Sequence, residues 1–145
     1  MSIEINWICN DVQLAQHCEH WNTLAFIALD TEFIRVDTFY PIAGLLQVSD
    51  GESTYLIDPL LIQKWQPLAD VLSNAQVVKV LHACGEDLEV LALLTGAVPQ
   101  PLFDTQVAAG SLNLGFSMEY ARLVQQLLDV GLAKGGARWG WLQRP

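Results

Sequence analysis

The segment AFIALDTEF, residues 25–33, ends a run of apolar residues with two acids, Asp30 and Glu32. The apolar residues predict a buried β-strand, in which residues i and i+2 point to the same face. The two carboxylates therefore lie side by side at the end of this predicted strand. They are either solvated side chains or ligands for a hard divalent cation such as Mg²⁺ or Mn²⁺.

A third acid stands in an unusual place on a predicted helix, GEDLEVLALLTG. At about 100° per residue, Asp87 aligns with Leu91 and Leu94 in the apolar stripe. Glu89 points nearly the opposite way and Glu86 lies at the edge, so we interpret both as surface acids that complement the helix dipole. An acid in the middle of the apolar stripe is costly unless it is paired or bound to a metal. Asp87 is therefore the unusual acid of this helix.

Three such carboxylates suit a site for two divalent cations. Two cations about 4 Å apart can activate a water molecule and stabilise the leaving oxygen of a phosphodiester. The alternative is that all of these acids are solvated. The sequence has no glycine-rich phosphate loop, no GxSxG and no CxxC.

Two other polar residues have structural explanations as well as functional ones. Asp104 precedes a predicted helix, where an N-cap is favoured. His82 follows a predicted strand and is either satisfied within the protein or in contact with a substrate phosphate. His17 and His20 lie one helical turn apart without a third ligand nearby, so we predict no zinc site there.

Length and composition indicate one compact domain. The chain has 145 residues, 52% of them apolar and 16% charged, which favours a globular protein. No apolar run approaches the ~18 residues that span a bilayer, and no secretion signal is recognisable. The three cysteines are far apart and fit a reducing compartment, so we expect a cytoplasmic protein that does not contact membranes. The net charge of −9 disfavours a basic nucleic-acid surface unless bound metals reverse the local field.

The hydrophobic pattern predicts an α/β or α+β domain, in which helices cover a mixed sheet. Asp11 is the expected N-cap of the first helix, and Asp50 with Gly51 predicts a tight turn between two strands. In chain order we predict a helix over DVQLAQHCEHW, strands over 25–32, 43–50 and 53–60, a helix over 66–74, a strand over 75–83, helices over 85–96, 105–112 and 117–130, and an irregular tail.

Five segments, IALDTEF, LLQVSDGESTYLIDPL, LHACGEDLEVL, PQPLFDTQVAA and WLQRP, resemble in order and spacing the ribonuclease D family of DEDD-type 3′-5′ exoribonucleases. The resemblance extends from about residue 24 to the end of the chain. It implies an α/β, ribonuclease H-like fold in which three antiparallel strands precede parallel ones and helices flank the sheet. It also implies two divalent metal ions, Mg²⁺ or Mn²⁺, no small organic cofactor, and hydrolysis of RNA from single-stranded 3′ ends, as in tRNA precursors.

The same resemblance implies roles for individual residues. Asp30 and Glu32 match the acids of the first exonuclease motif and Asp87 that of the second, so all three would be catalytic metal ligands. The backbone around Thr31 and Phe33 would help to place the terminal 3′ hydroxyl.

Three further residues occupy family-typical positions. His82 matches the histidine that opens the second motif and is a candidate substrate contact. Asp104, in DTQ, would support the site structurally. For Gln47, a hydrogen-bonding role in the core is expected.

One part of the family pattern has no match. The third motif, Tyr-x-x-x-Asp, supplies the tyrosine that orients the attacking water and a fourth acid, and it follows a segment like WLQRP in relatives. The residues four positions after the tyrosines are Gly44, Pro59 and Val124. We therefore expect residues 1–145 to be an exonuclease domain that lacks its third motif and the helical C-terminal domains. The alternative function is a non-catalytic module that binds RNA or protein and keeps a relic metal site.

Overall fold

A computed structural model describes residues 4–132 of the chain. Their elements are β1 Glu4–Ile8, α1 Asp11–Trp21, β2 Phe26–Ile34, β3 Ile42–Ser49, β4 Ser53–Ile57, a 3₁₀ turn Pro59–Leu61, α2 Gln66–Ser73, β5 Val78–Leu81, α3 Gly85–Thr95, β6 Leu102–Asp104, α4 Thr105–Ser111 and α5 Tyr120–Leu128. None of these helices is long and apolar enough to cross a membrane. Most of the predicted irregular tail lies outside the described residues.

The six strands form one mixed sheet in the order β1-β4-β3-β2-β5-β6. Strands β2, β3 and β4 pair antiparallel, and β5 and β6 continue the sheet parallel to β2. The predicted α/β sheet, antiparallel first and parallel afterwards, is confirmed. Two strands were not predicted: β1, which pairs parallel with β4 at one edge, and the three-residue strand β6 at the other. Strands this short and this exposed show little of the alternation that identifies a strand.

Alternation along β2 explains how this strand can contribute to both a core and a site. Ile27 and Leu29 are buried and pack with residues of α1, α2 and α3 in one hydrophobic cluster. Phe26 and Asp30, which point to the other face, are exposed. The strand therefore fixes its acids by packing its opposite side into the core.

The first helix begins as predicted, but its cap differs. Asn10 is the N-cap, because its side chain accepts a hydrogen bond from the N–H of Gln13 at 2.9 Å. Asp11 instead accepts from the N–H groups of Gln63 and Lys64 at 2.8 and 3.0 Å. The expected cap was wrong by one residue because either side chain can perform this role.

Lys79, on β5, is fully buried. Its Nζ donates hydrogen bonds to the carbonyl oxygens of Asn74 and Gln100 at 2.7 and 2.9 Å. Burial lowers the pKa of Lys79 to about 8. A neutral amine still has two N–H groups, which is enough for both carbonyls.

This lowered pKa makes stability depend on pH. Between about pH 8 and 10.5 the unfolded chain binds a proton at Lys79 that the folded chain lacks, so the folding stability rises with pH. We expect the unfolding free energy of the wild type, relative to that of Lys79→Met, to increase by at most about 1.4 kcal/mol per pH unit in this range. Urea unfolding at pH 7.5, 9 and 10 measures the difference. Lys64→Met, at an exposed position, is the control, and a constant difference between wild type and Lys79→Met would show that Lys79 does not titrate as described.

Candidate active site

Strand β2 continues to Ile34, beyond the predicted end at residue 32, so the residues of the first motif lie in its C-terminal half. Thr31 is buried, with 6% of its surface exposed, between Asp30 and Glu32 on the opposite face. The pairing of β2 with β3 shifts register between Glu32 and Phe33. Such bulges redirect side chains and are frequent beside active sites.

The first turn of α3 places Asp87 against this part of β2. Asp87 is 8% exposed, which agrees with its place in the apolar stripe, and its Oδ1 accepts a hydrogen bond from the Thr31 hydroxyl. Burial raises the pKa of Asp87 to about 6, against the Thr31 hydrogen bond, and the charge of Asp30 raises it further. The helix therefore positions a carboxyl group that is costly to ionise where it lies.

Asp30 belongs to the same electrostatic system. Asp30 as a whole is exposed to solvent. Nearby protein atoms nevertheless limit the hydration of its carboxylate, and this desolvation raises the pKa of Asp30. The charge of Glu32 raises that pKa further, whereas the N–H of Thr31 and the charge of His82 oppose the rise. The raised pKa values of Asp30 and Asp87 thus reflect limited hydration first and the charge of a neighbouring acid second.

The three acids are near one another, but their side chains are not arranged as the ligands of one metal site. Asp87 approaches from the side of Thr31, whereas Asp30 and Glu32 point from the other face of β2. Within residues 4–132, no three His, Cys, Asp or Glu side chains are already arranged to hold a metal ion. The metal-binding role of the three acids stays a prediction.

Both ring nitrogens of His82 contact the protein. Nε2 donates to the carbonyl oxygen of Met118 at 2.7 Å, and Nδ1 lies 2.8 Å from Oγ1 of Thr105. The ring also meets Tyr120 edge-on, with centroids 5.5 Å apart. These contacts favour the structural explanation of His82, and its contact with substrate stays a prediction.

Asp104 anchors the loop that precedes α3. It caps α4 by accepting from the N–H of Gln106 at 2.8 Å, and it accepts from the N–H groups of Ala83 and Cys84 at 3.0 and 2.9 Å. Ala83 has a φ of 52°, a left-handed conformation that costs energy in an L-residue. Burial opposes ionisation of Asp104, but hydrogen bonds from Cys84, Ala83 and Gln106 outweigh it and lower its pKa to about 2. The predicted N-cap is present, and the additional contacts agree with a supporting role.

Two remaining residues of the predicted site lie close to the acids. Gln47 pairs with Asp30 across the β2–β3 ladder and is exposed, so its expected core role is wrong. The neighbours of Gln47, Leu46 and Val48, face the core, and alternation turns Gln47 outward. Phe33 is half-buried and packs against the core.

Arg35 is a residue near the site that was not predicted from the sequence. Its Nη2 lies 2.5 Å from Oε2 of Glu89 and its Nε lies 3.9 Å from Oε2 of Glu86. The two glutamates are therefore partners of an arginine rather than surface acids alone. No local pattern connects residues so far apart in the sequence.

Comparisons with known proteins test the family resemblance. A family model described as a 3′-5′ exonuclease matches residues 5–145. Ribonuclease D of Pseudomonas paraeruginosa is 58% identical over 142 residues, which are 98% of this chain and 38% of that protein. The chain thus spans less than two fifths of the length of this curated relative.

Solved structures give the same result for the fold. The crystal structure of Escherichia coli RNase D, an exoribonuclease involved in structured RNA processing, matches with a TM-score of 0.92 and 43% identity over 100% of this chain and 38% of that one. The catalytic core of RRP6 from Trypanosoma brucei matches in fold, with a TM-score of 0.87 and 23% identity over 99% of this chain and 40% of that one. The resemblance to the ribonuclease D family and the ribonuclease H-like fold are confirmed.

The raised pKa of Asp87 predicts a stabilising substitution. Between the ordinary value of 3.8 and about 6, the folded chain binds a proton that the unfolded chain lacks, so stability falls as pH rises. We expect Asp87→Asn to match the wild type near pH 4 and to exceed its unfolding free energy by on the order of 2 kcal/mol at pH 7. Urea unfolding in EDTA, with Asp70→Asn as an exposed control, measures this. A constant difference over pH would contradict the buried, ionisable Asp87.

The anchoring role of Asp104 predicts a loss of stability. Asp104→Ala removes the acceptor for N–H groups of two segments, so we expect the unfolding free energy to fall by about 2 kcal/mol or more. Glu119→Ala is the matched control, because Glu119 is the N-cap residue of α5 but its side chain makes no capping hydrogen bond. Urea unfolding compares the two. Equal, small effects would exclude the anchor.

Proposed function

Because this chain belongs to the 3′-5′ exonuclease family, we propose that it carries the first two acidic motifs of a ribonuclease D-type active site. That site would hydrolyse phosphodiester bonds one nucleotide at a time from single-stranded RNA 3′ ends, with tRNA precursors as the substrate class. The proposal rests on the proximity of Asp30, Glu32 and Asp87 at the C-terminal half of β2, where Asp30 and Asp87 have raised pKa values.

The chemistry of the donor set fits divalent cations. All three side chains offer carboxylate oxygens, which suit Mg²⁺ or Mn²⁺ rather than zinc. A bound cation would also favour the ionised forms of Asp30 and Asp87, whose pKa values are raised by burial and by neighbouring acids. When bound, two such cations would activate water and stabilise the leaving oxygen.

The chain's own residues would prepare this site. Glu32, with the backbone of Thr31 and Phe33, would place the terminal 3′ hydroxyl. Thr31 holds Asp87 through a hydrogen bond, which Asp87 would exchange for a cation. Asp104 would keep the loop before α3 in position.

The substrate-binding role of His82 would be indirect. Since both of its ring nitrogens contact Thr105 and Met118, His82 would fix the segment around α5 beside the acids.

We further propose that residues 1–145 lack the tyrosine and the fourth acid of the third motif. Three carboxylates would then neutralise only part of the charge of two divalent cations, so one cation would bind weakly. Turnover would fall by orders of magnitude without the group that orients the water.

All three described cysteines are free, which is consistent with a role in the reducing cytoplasm.

A second candidate is a non-catalytic RNA- or protein-binding module. Two observations favour it. Asp87 is hydrogen-bonded to Thr31, and within residues 4–132 no three potential ligand side chains are arranged to hold a metal ion. Metal binding and RNA shortening distinguish the two candidates.

We expect Mn²⁺ to bind the wild type, and Asp30→Asn to weaken that binding by at least about tenfold because a direct ligand is removed. Titration calorimetry measures binding, and a 5′-labelled single-stranded RNA reports stepwise shortening. Glu52→Gln, at an exposed position in the β3–β4 turn, is the control. Shortening that Asp30→Asn abolishes supports the exonuclease. Metal binding without shortening fits the module and also an exonuclease domain that has lost turnover with the third motif. Equal Mn²⁺ affinity in wild type and Asp30→Asn contradicts both.

A further inference from the structure

The loop between β2 and β3 presents two aromatic rings to solvent. Phe39 is 81% exposed and Tyr40 57% exposed. Their ring centroids are 4.8 Å apart and their planes are nearly perpendicular, at 88°. This edge-to-face contact keeps the rings together while leaving ring surface accessible.

A single arginine fixes the loop. Arg35 Nη1 donates to the carbonyl oxygen of Phe39 at 2.9 Å, so it holds the backbone that carries the aromatic pair. The same guanidinium contacts Glu89 at 2.5 Å and Glu86 at 3.9 Å on α3. A loop held in this way loses less conformational entropy when it binds a ligand.

These contacts connect the aromatic pair to the two elements that carry the acids. Arg35 follows Glu32 by three residues, a distance of about 10 Å along an extended strand. Its partners Glu86 and Glu89 lie on α3, the helix that also carries Asp87. The loop is therefore connected to both elements that carry the acidic site.

The charge of the chain and of Arg35 indicates how nucleic acid could be held at this loop. The chain carries a net charge of −9, and the nearby Arg35 is already paired with two glutamates. Attraction of phosphates to a basic surface is therefore weak here. Stacking of bases on aromatic rings needs no positive charge and tolerates any base.

We propose that Phe39 and Tyr40 form a stacking subsite for an unpaired RNA base a few nucleotides upstream of the 3′ end. This inference rests on the proposed function, since it assumes that the 3′ end lies at Asp30, Glu32 and Asp87. The subsite would hold the strand by a base while the acidic site acts on its end.

The test is RNA binding by the full chain. Fluorescence anisotropy with a labelled single-stranded 12-nucleotide RNA, in Ca²⁺ to slow hydrolysis, compares wild type with Phe39→Ala/Tyr40→Ala. We expect the double variant to weaken binding about 5- to 100-fold, the range for loss of base stacking. Val36→Ala, an exposed aliphatic position in the same loop, should change affinity less than twofold. Phe39→Leu/Tyr40→Leu, which keeps apolar side chains, should lose binding like the alanine variant.

An abasic scan identifies what the rings contact. Single abasic nucleotides at each of the last six positions should weaken wild-type binding at one or two positions and leave the double variant unaffected there. Equal affinity of wild type and double variant overturns the subsite but leaves the proposed function intact. A loss of equal size at every abasic position also overturns the subsite, because no single base then contacts the rings. That result would indicate that the aromatic pair faces a protein partner instead. A wild type that binds no RNA removes the proposed function and the subsite together.

Discussion

The hydrogen bond from the Thr31 hydroxyl to Asp87 is the contact on which the candidate site depends. It joins the end of the central strand β2 to the first turn of α3 and keeps a carboxyl group in a place with little water. The cost of that burial is visible in the pKa of Asp87, which rises to about 6. Stability given up at a cluster of like charges is typical of functional sites, where a ligand restores it.

The surroundings of this contact are built to keep α3 in position. Asp104 holds the loop at Ala83, which has a left-handed backbone, and at Cys84, directly before α3, while it caps the helix that follows β6. His82 connects the same loop to the segments around α4 and α5 through both ring nitrogens. The sheet places Asp30, and these polar contacts place Asp87. The site is therefore positioned by the core on one side and by a hydrogen-bonded loop on the other.

The parts of the molecule that could be predicted from the sequence are those with a strong local signal. The long apolar runs of β2 and β3 and the stripe of α3 indicated their elements, and the same stripe indicated that Asp87 faces inward. The position of Gln47 was wrong, although alternation along β3 could have found it, since the residues on either side of it are apolar. The pairing of Arg35 with Glu86 and Glu89 could not be predicted, because it connects segments more than fifty residues apart. The short edge strands β1 and β6 are defined by their neighbours in the sheet rather than by their own residues.

We propose that Asp87 leaves Thr31 to bind a divalent cation together with Asp30 and Glu32. Anomalous diffraction from crystals of the chain soaked in Mn²⁺ is the decisive experiment, because it locates the cation and the side chains at once. We expect a manganese peak at the C-terminal half of β2, with carboxylate oxygens of all three acids as ligands and the Thr31 hydrogen bond broken. A peak elsewhere, or Asp87 still bonded to Thr31 at saturating Mn²⁺, would contradict it.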